Sequence, residues 1–512
     1  MSKVRVRFAP SPTGGLHLGG VRTALYNYLF AKKHGGDFIV RSEDTDQTRF
    51  VTGAEEYIFE CLKWCGIEPD ESVQHPGNYG PYRQSERKDS YRKYADQLVK
   101  AGNAYYAFDT REELEKMRED FKTTENPSPQ YDYSIRKKMR NSLNLSAAET
   151  KELLDKTTPY VIRIKMPENE VIHFTDMIRG EISFETRLVD DKVLLKADGM
   201  PTYHLAVVVD DYLMKITHIF RGEEWLPSAP VHLLLWKYLG WENAMPEWAH
   251  LPLIMGPNGK LSKRDGAKYG FPVFAMNWTD PKTNELTEGF KEKGFLPEAF
   301  INLLAVLGWN DGTEQEIYSM EELIEKFSMA RVHAAGAKFD YEKAKWFNHE
   351  WIKRLNIENL PTGQTGLRYK VKEILLAEGI AIADDFLLGK VIDLVRERCI
   401  LLPDFVQHAG FFFKTPETLD TDAVKPKWTN DKLKFFQEYC RLLNVIVNWE
   451  LVEIEQVFKK LVAEKNSKPG ELLLPLRIML VGAKFGPAVF QIAELIGKEE
   501  TIKRIENAMK QF

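Results

Sequence analysis

Strand, glycine-rich turn, helix and strand follow one another within the first fifty residues, an order that commits the start of the chain to a parallel α/β sheet. Val4, Val6 and Phe8 alternate with Arg5 and Arg7 at the two-residue period of a strand. The turn-rich Ala9-Pro10-Ser11-Pro12-Thr13-Gly14-Gly15 leads into Leu16-His17-Leu18-Gly19-Gly20. Val21, Ala24, Leu25, Tyr28 and Leu29 then recur on one helix face, His34-Gly35-Gly36 supplies a stop, and Phe38, Ile39 and Val40 make a second strand. In such sheets ligands sit at the carboxyl ends of the strands, where both the glycine-rich turn and Arg41-Ser42-Glu43-Asp44-Thr45-Asp46 fall.

The chain has 512 residues, which at about 150 per domain gives roughly three to four units. From Phe108 to Pro201 the text turns polar and charged, including Arg136-Lys137-Lys138, and reads as an insertion. The sheet is expected to resume with Val193-Leu194-Leu195 and with Leu205 to Val209, the latter ending in Asp210-Asp211. A turn cluster from Pro361 to Gly366 reads as a linker, and amphipathic helices follow, with Leu433, Phe436, Cys440 and Leu443 as one helical stripe. Seventy basic residues against 75 acidic ones give a net charge of -5, so the total announces no nucleic-acid partner. Four cysteines without a Cys-x-x-Cys pair exclude a disulfide framework and favour a reducing compartment; Cys61 and Cys65 are expected to be half-buried on a helix. The start shows no signal-peptide hydrophobic region, and no apolar run approaches the roughly 20 residues of a membrane helix, so a cytoplasmic protein without membrane contact is expected.

Two short motifs carry chemistry. A histidine followed by glycines at a helix start combines free N–H groups, partial positive charge and close backbone access, a phosphate-binding arrangement; alone, such a turn also serves as a plain connection. Lys260-Leu261-Ser262-Lys263-Arg264, flanked by Gly256-Pro257-Asn258-Gly259 and Gly266, is expected in a mobile loop whose lysines can close on a phosphate chain. Alone it also reads as a solvated basic loop.

Together, about 240 residues apart on a βαβ start, these motifs resemble the two signatures of class I aminoacyl-tRNA synthetases. The wider text is similar to the bacterial glutamyl-tRNA synthetase family over essentially the whole chain. The matching segments are Arg7-Phe8-Ala9-Pro10-Ser11-Pro12-Thr13-Gly14, Arg41 to Asp46, Gly80-Pro81-Tyr82-Arg83-Gln84-Ser85-Glu86-Arg87, Asp198-Gly199-Met200-Pro201-Thr202-Tyr203-His204 and Ile219-Phe220-Arg221-Gly222-Glu223-Glu224. Gly20 stands where the general class pattern has a second histidine and Leu261 where it has methionine, forms common in the glutamyl group.

The resemblance implies that Arg7, Tyr203 and Arg221 hold the substrate side chain, Glu43 its ammonium group, and Ala9 and Ser11 the walls of the same site. It implies ATP contacts at His17, Gly19, Gly20, Glu224, Trp225 and Lys263, with His17, Lys260 and Lys263 as catalytic residues. Taken alone, Arg221 also reads as a structural ion pair with Glu223 or Glu224, and Trp225 as core packing. The implied reaction joins glutamate to tRNA(Glu) through glutamyl-adenylate, using ATP with Mg²⁺, in a monomer. Zinc is not expected, because Phe108 to Pro201 holds no cysteine. The implied architecture is a Rossmann-like catalytic domain at 1–107 and 201–250, an α/β acceptor-end-binding insertion at 108–200, a stem-contact region with the lysine loop at 251–345, and an all-α anticodon-binding region at 346–512. Arg396 and Arg398 are candidates for anticodon contact, against a reading as surface helix charges.

Overall fold

The computed structural model describes residues 3–46, 48–358 and 365–512, so most of the expected linker at Pro361 to Gly366 lies outside the described residues. The chain forms two compact units, residues 1–292 with 300–341, and residues 293–299 with 342–512.

In the first unit β1 (Arg5–Phe8) and β2 (Asp37–Val40) pair in parallel, joined by helix α1 (Leu18–Lys33). An antiparallel three-stranded sheet runs β3 (Ala104–Ala107), β4 (Val161–Ile164), β7 (Val193–Leu195). A four-stranded sheet runs β6 (Gly180–Glu185), β5 (Val171–Asp176), β9 (Glu247–Leu251), β8 (His218–Gly222), with β8 and β9 parallel. A hydrogen bond from Thr217 N to Arg5 O, 2.9 Å, ties the approach to β8 onto β1. The carboxyl ends of β1, β2 and β8 therefore open toward one place. All four residues of β1 are buried, so its arginines do not alternate into solvent. Both faces of a parallel sheet are covered, and a charged side chain there must find a partner.

Two expectations from the sequence are corrected. Leu205 to Val209 is no strand but the middle of the helix Tyr203–Leu213. Every residue from Leu205 to Asp211 is buried, and a short helix packed on all sides shows the same unbroken apolar run as a core strand. The lysine segment is not a free loop: β10 (Ile254–Gly256) and β11 (Gly259–Lys260) form a hairpin, and Lys263 opens the helix Lys263–Tyr269. Ser262 accepts from Asp265 N while Asp265 accepts from Ser262 N, so both ends of this turn are fixed. Cys61 and Cys65 lie on the helix Ala54–Trp64 and its cap, fully rather than half buried.

The second unit is helical. Leu367, Val371, Leu388, Val391, Phe405, Phe436, Leu443, Phe458 and Leu476 share one core, and the helix Asn430–Asn444 buries Phe436, Cys440 and Leu443 along its stripe. Among the described residues no helix is long and apolar enough to cross a membrane.

Candidate active site

The strand ends open onto a cavity of about 790 Å³. Its lining includes Arg7, Ala9, Ser11, His17, Gly19, Gly20, Glu43, Tyr203, Arg221, Glu224, Trp225 and Lys260. The structure thus gathers residues from five separated stretches of sequence. Lys263 does not line it; its ammonium lies 4.9 Å from the Phe274 ring, against which His17 also packs edge-on.

One wall is built from buried charge. Arg7 donates to both oxygens of Asp211, at 3.0 and 3.2 Å, and Arg41 donates to Asp211 Oδ1 at 2.8 Å and to Glu43 at 3.1 Å. Arg87 occupies Asp210 at 2.6 Å. Asp210 and Asp211 stand in the last turn of their helix, where the backbone dipole disfavours anions, so these arginines are what make the pair tenable. Burial alone would raise the Asp211 carboxyl, but Arg7 and Arg41 outweigh it and hold it below the usual carboxylate range. Burial raises Glu43, with Arg41 and Arg7 pulling the other way. Arg221 differs: it has no ion-pair partner among the described residues, and Glu223 and Glu224 are engaged by Arg179 and Lys260 instead.

The wall that carries His17 is cationic. His17 caps α1, its Nδ1 accepting from Gly19 N at 3.5 Å, so the ring hydrogen sits on Nε2, which is buried and without a partner among the described residues. Burial, reinforced by Lys260 and Lys263, lowers the imidazole to about 4. A depressed histidine is neutral in the fold, so its contribution to stability is complete above the unfolded value near 6.5 and is lost as pH falls toward 4. In the free protein the His17 imidazole should titrate near pH 4 by NMR, and bound polyphosphate should move that titration upward by neutralising the lysines. Lys260 Nζ reaches Glu224 at 3.0 Å, and Trp225 is no core residue: it is 42% exposed, 4.4 Å from the Tyr203 ring.

Sequence reasoning did not single out Asp211 as the partner of Arg7, nor His232 and His250, which bond Arg221. The doublet Asp210-Asp211 closing an apolar run was the available signal for the first. In the second unit Arg396 pairs with Asp393 at 2.8 Å and Arg398 is exposed.

Residues 3–346 match the family model of tRNA synthetases class I (E and Q), catalytic domain, and residues 341–509 match an anticodon binding domain. The glutamate–tRNA ligase of Christiangramia forsetii is 51% identical over 510 residues, 99% of each chain, and that of Amoebophilus asiaticus is 49% identical over 99% of this chain and 98% of its own. A solved glutamate tRNA ligase from Elizabethkingia meningosepticum, in complex with its amino acid, has a TM-score of 0.93 at 48% identity over 99% of both chains. The synthetase of Elizabethkingia anophelis has a TM-score of 0.90 at 48% identity, covering 99% of this chain and all of that one. With this fold, this cavity and likeness along its whole length, the chain belongs to the glutamate–tRNA ligase family of the class I tRNA synthetases.

Proposed function

We propose that the chain is a glutamate–tRNA ligase that activates glutamate with MgATP and transfers it to the 3′ end of tRNA(Glu). The observation that carries this reading is the charge of the cavity wall. Among the described residues of this buried cluster Arg7, Arg41, Arg87 and Arg221 stand against Glu43, Asp210 and Asp211, leaving one positive charge in excess, and free glutamate carries one net negative charge. Arg7, Tyr203 and Arg221 would hold the side-chain carboxylate, where paired guanidinium donors fix a planar anion. Glu43 would hold the ammonium group, with Ala9 and Ser11 as walls.

In the first step a substrate α-carboxylate oxygen attacks the α-phosphorus of ATP and pyrophosphate leaves. In the second, the terminal adenosine hydroxyl of tRNA attacks the activated carbonyl, its proton is lost and AMP leaves. Neither step needs a protein nucleophile; alignment and cations aimed at developing phosphorane charge suffice. His17 donates from Nε2, Lys260 and Lys263 add charge, Gly19 and Gly20 leave room for the nucleotide, and Glu224 and Trp225 flank it. Residues 108–200 would take the acceptor end of tRNA and residues 346–512 the anticodon, with Arg396 and Arg398 in contact with it. We further infer a cytoplasmic monomer.

Glutamate-dependent exchange of pyrophosphate into ATP, measured with and without purified glutamate and glutamine tRNAs, tests the reading. Exchange is expected with tRNA(Glu); its absence with every tRNA overturns the proposal.

A further inference from the structure

A guanidinium has five N–H donors. Arg221 gives Nε–H to His250 Nε2 at 3.0 Å, and Nη1 to the Tyr203 hydroxyl at 3.0 Å and to His232 Nδ1 at 3.1 Å. The two donors on Nη2 remain; this atom is buried and, among the described residues, without a hydrogen-bond partner, on a residue that lines the cavity. Every acceptor that Arg221 uses is neutral, whereas Arg7 and Arg41 share the carboxylate of Asp211.

Neutral acceptors work only in the right tautomer. Asp176 Oδ2 lies 2.7 Å from His250 Nδ1 and accepts from His250 N at 3.0 Å, while Oδ1 accepts from the backbone N–H groups of Ile178 and Arg179. A carboxylate can only accept, so His250 carries its hydrogen on Nδ1 and presents a lone pair to Arg221. His232 repeats the arrangement: Nδ1 faces Arg221, and the hydrogen on Nε2 points to His204 Nδ1 at 3.1 Å. Burial pushes His232, His250 and His204 below the ordinary imidazole value, His204 to about 3, so the set is uncharged at neutral pH. Trp248 lies beneath Arg221, 5.0 Å from ring centre to guanidinium carbon, and stacks on both His232 and His250. Asp176, His232 and His250 are fully buried and none of them lines the cavity.

We propose that Asp176, His250 and His232 are positioning residues that hold Arg221 aligned and uncompensated, so that the cavity selects an amino acid with a side-chain carboxylate over its amide. The inference rests on the glutamate-activation reading above. A carboxylate in place of either imidazole would neutralise Arg221 and remove the reason to prefer an anion; the amide of glutamine leaves the guanidinium charge without a counterion, a difference that binding alone turns into discrimination. Asp176 belongs to β5, which meets β9 at the single register Asp176↔Trp248, so the hairpin β5–β6 supplies the residue that fixes the tautomer.

Asp176→Asn turns the acceptor facing His250 into a donor. His250 then shifts its hydrogen to Nε2, which opposes the Nε–H of Arg221. In tRNA-supported pyrophosphate exchange, kcat/KM for glutamate should fall on the order of tenfold to a hundredfold, the loss expected for a hydrogen bond to a charged group. The glutamate-to-glutamine preference should fall with it, while the Michaelis constant for ATP stays put. His250→Gln supplies an acceptor with no tautomer to lose, so adding Asp176→Asn to it should cost no more than about twofold. If Asp176→Asn does not fold, His250→Gln against His250→Leu reads the same relay, the first keeping the preference and the second losing it. Equal loss of affinity for glutamate and ATP, or an unchanged glutamate preference in an active D176N protein, overturns the relay without touching the ligase reading. No exchange by the unaltered protein overturns the ligase reading itself.

Discussion

Replacing Lys263 with alanine is expected to lower glutamate-dependent activation by about 10²- to 10³-fold, the loss typical of one preorganised donor to transition-state charge. The Michaelis constant for glutamate should hardly move, because Lys263 stands beside His17 and Phe274 and not among Arg7, Glu43 and Arg221. Stability supplies a second, independent readout. Lys263 is the first residue of its helix, where a cation opposes the backbone dipole at a cost of about 0.3–1 kcal/mol, and alanine is the better helix former. K263A should therefore melt at the same temperature as the unaltered protein or slightly above it while losing nearly all activation. The His17 titration should also rise, since Lys263 is one of the charges depressing it. Wild-type exchange rates in K263A would remove this lysine from the chemistry.

The same helix shows where the sequence was legible and where it was not. Local periodicity and turn chemistry give α1, β2 and the helical second unit, because each records its own burial within a few residues, and they place β1 while missing that its arginines are buried. Leu205 to Val209 defeats that logic, since a helix buried on every side has no polar face to set its period. The lysine motif sits between glycines and a proline, which read as loop, yet the Ser262 and Asp265 side chains close a capping box that orders it. The cavity residues were visible as a family resemblance, residue by residue. Their partners were not. Asp211 is 204 positions from Arg7, and Asp176 is 74 from His250; no pattern along the chain links them until the sheets close. Trp225 shows the converse, an aromatic beside two acids whose exposure only the fold reveals.

Asp211→Asn is expected to produce the largest loss of stability of any isosteric change at the site. Arg41 is completely buried and Arg7 nearly so, and both donate to this one carboxylate, so its removal leaves them Glu43 and, 3.9 Å from Arg41, an Asp210 that Arg87 already engages. Breaking a buried pair by deleting one partner costs about 3–5 kcal/mol, because the remaining charge stays desolvated. For a unit of this size the first thermal transition should fall by about 4–7 °C. The sign of the pH dependence follows from the depressed Asp211 carboxyl. Its contribution is present above the unfolded value near 3.8 and disappears as pH falls through the lower folded value, so D211N and the unaltered protein should converge in stability only under strongly acidic conditions. In the folded fraction Arg7 regains a free fork, and an anionic substrate becomes the counterion that Asp211 used to supply. Saturating glutamate should then raise the melting temperature of D211N more than that of the unaltered protein, by mass action on the folded state. Equal ligand shifts in the two proteins, or a melting temperature unchanged by the substitution, would mean that Asp211 does not carry the charge balance of this wall.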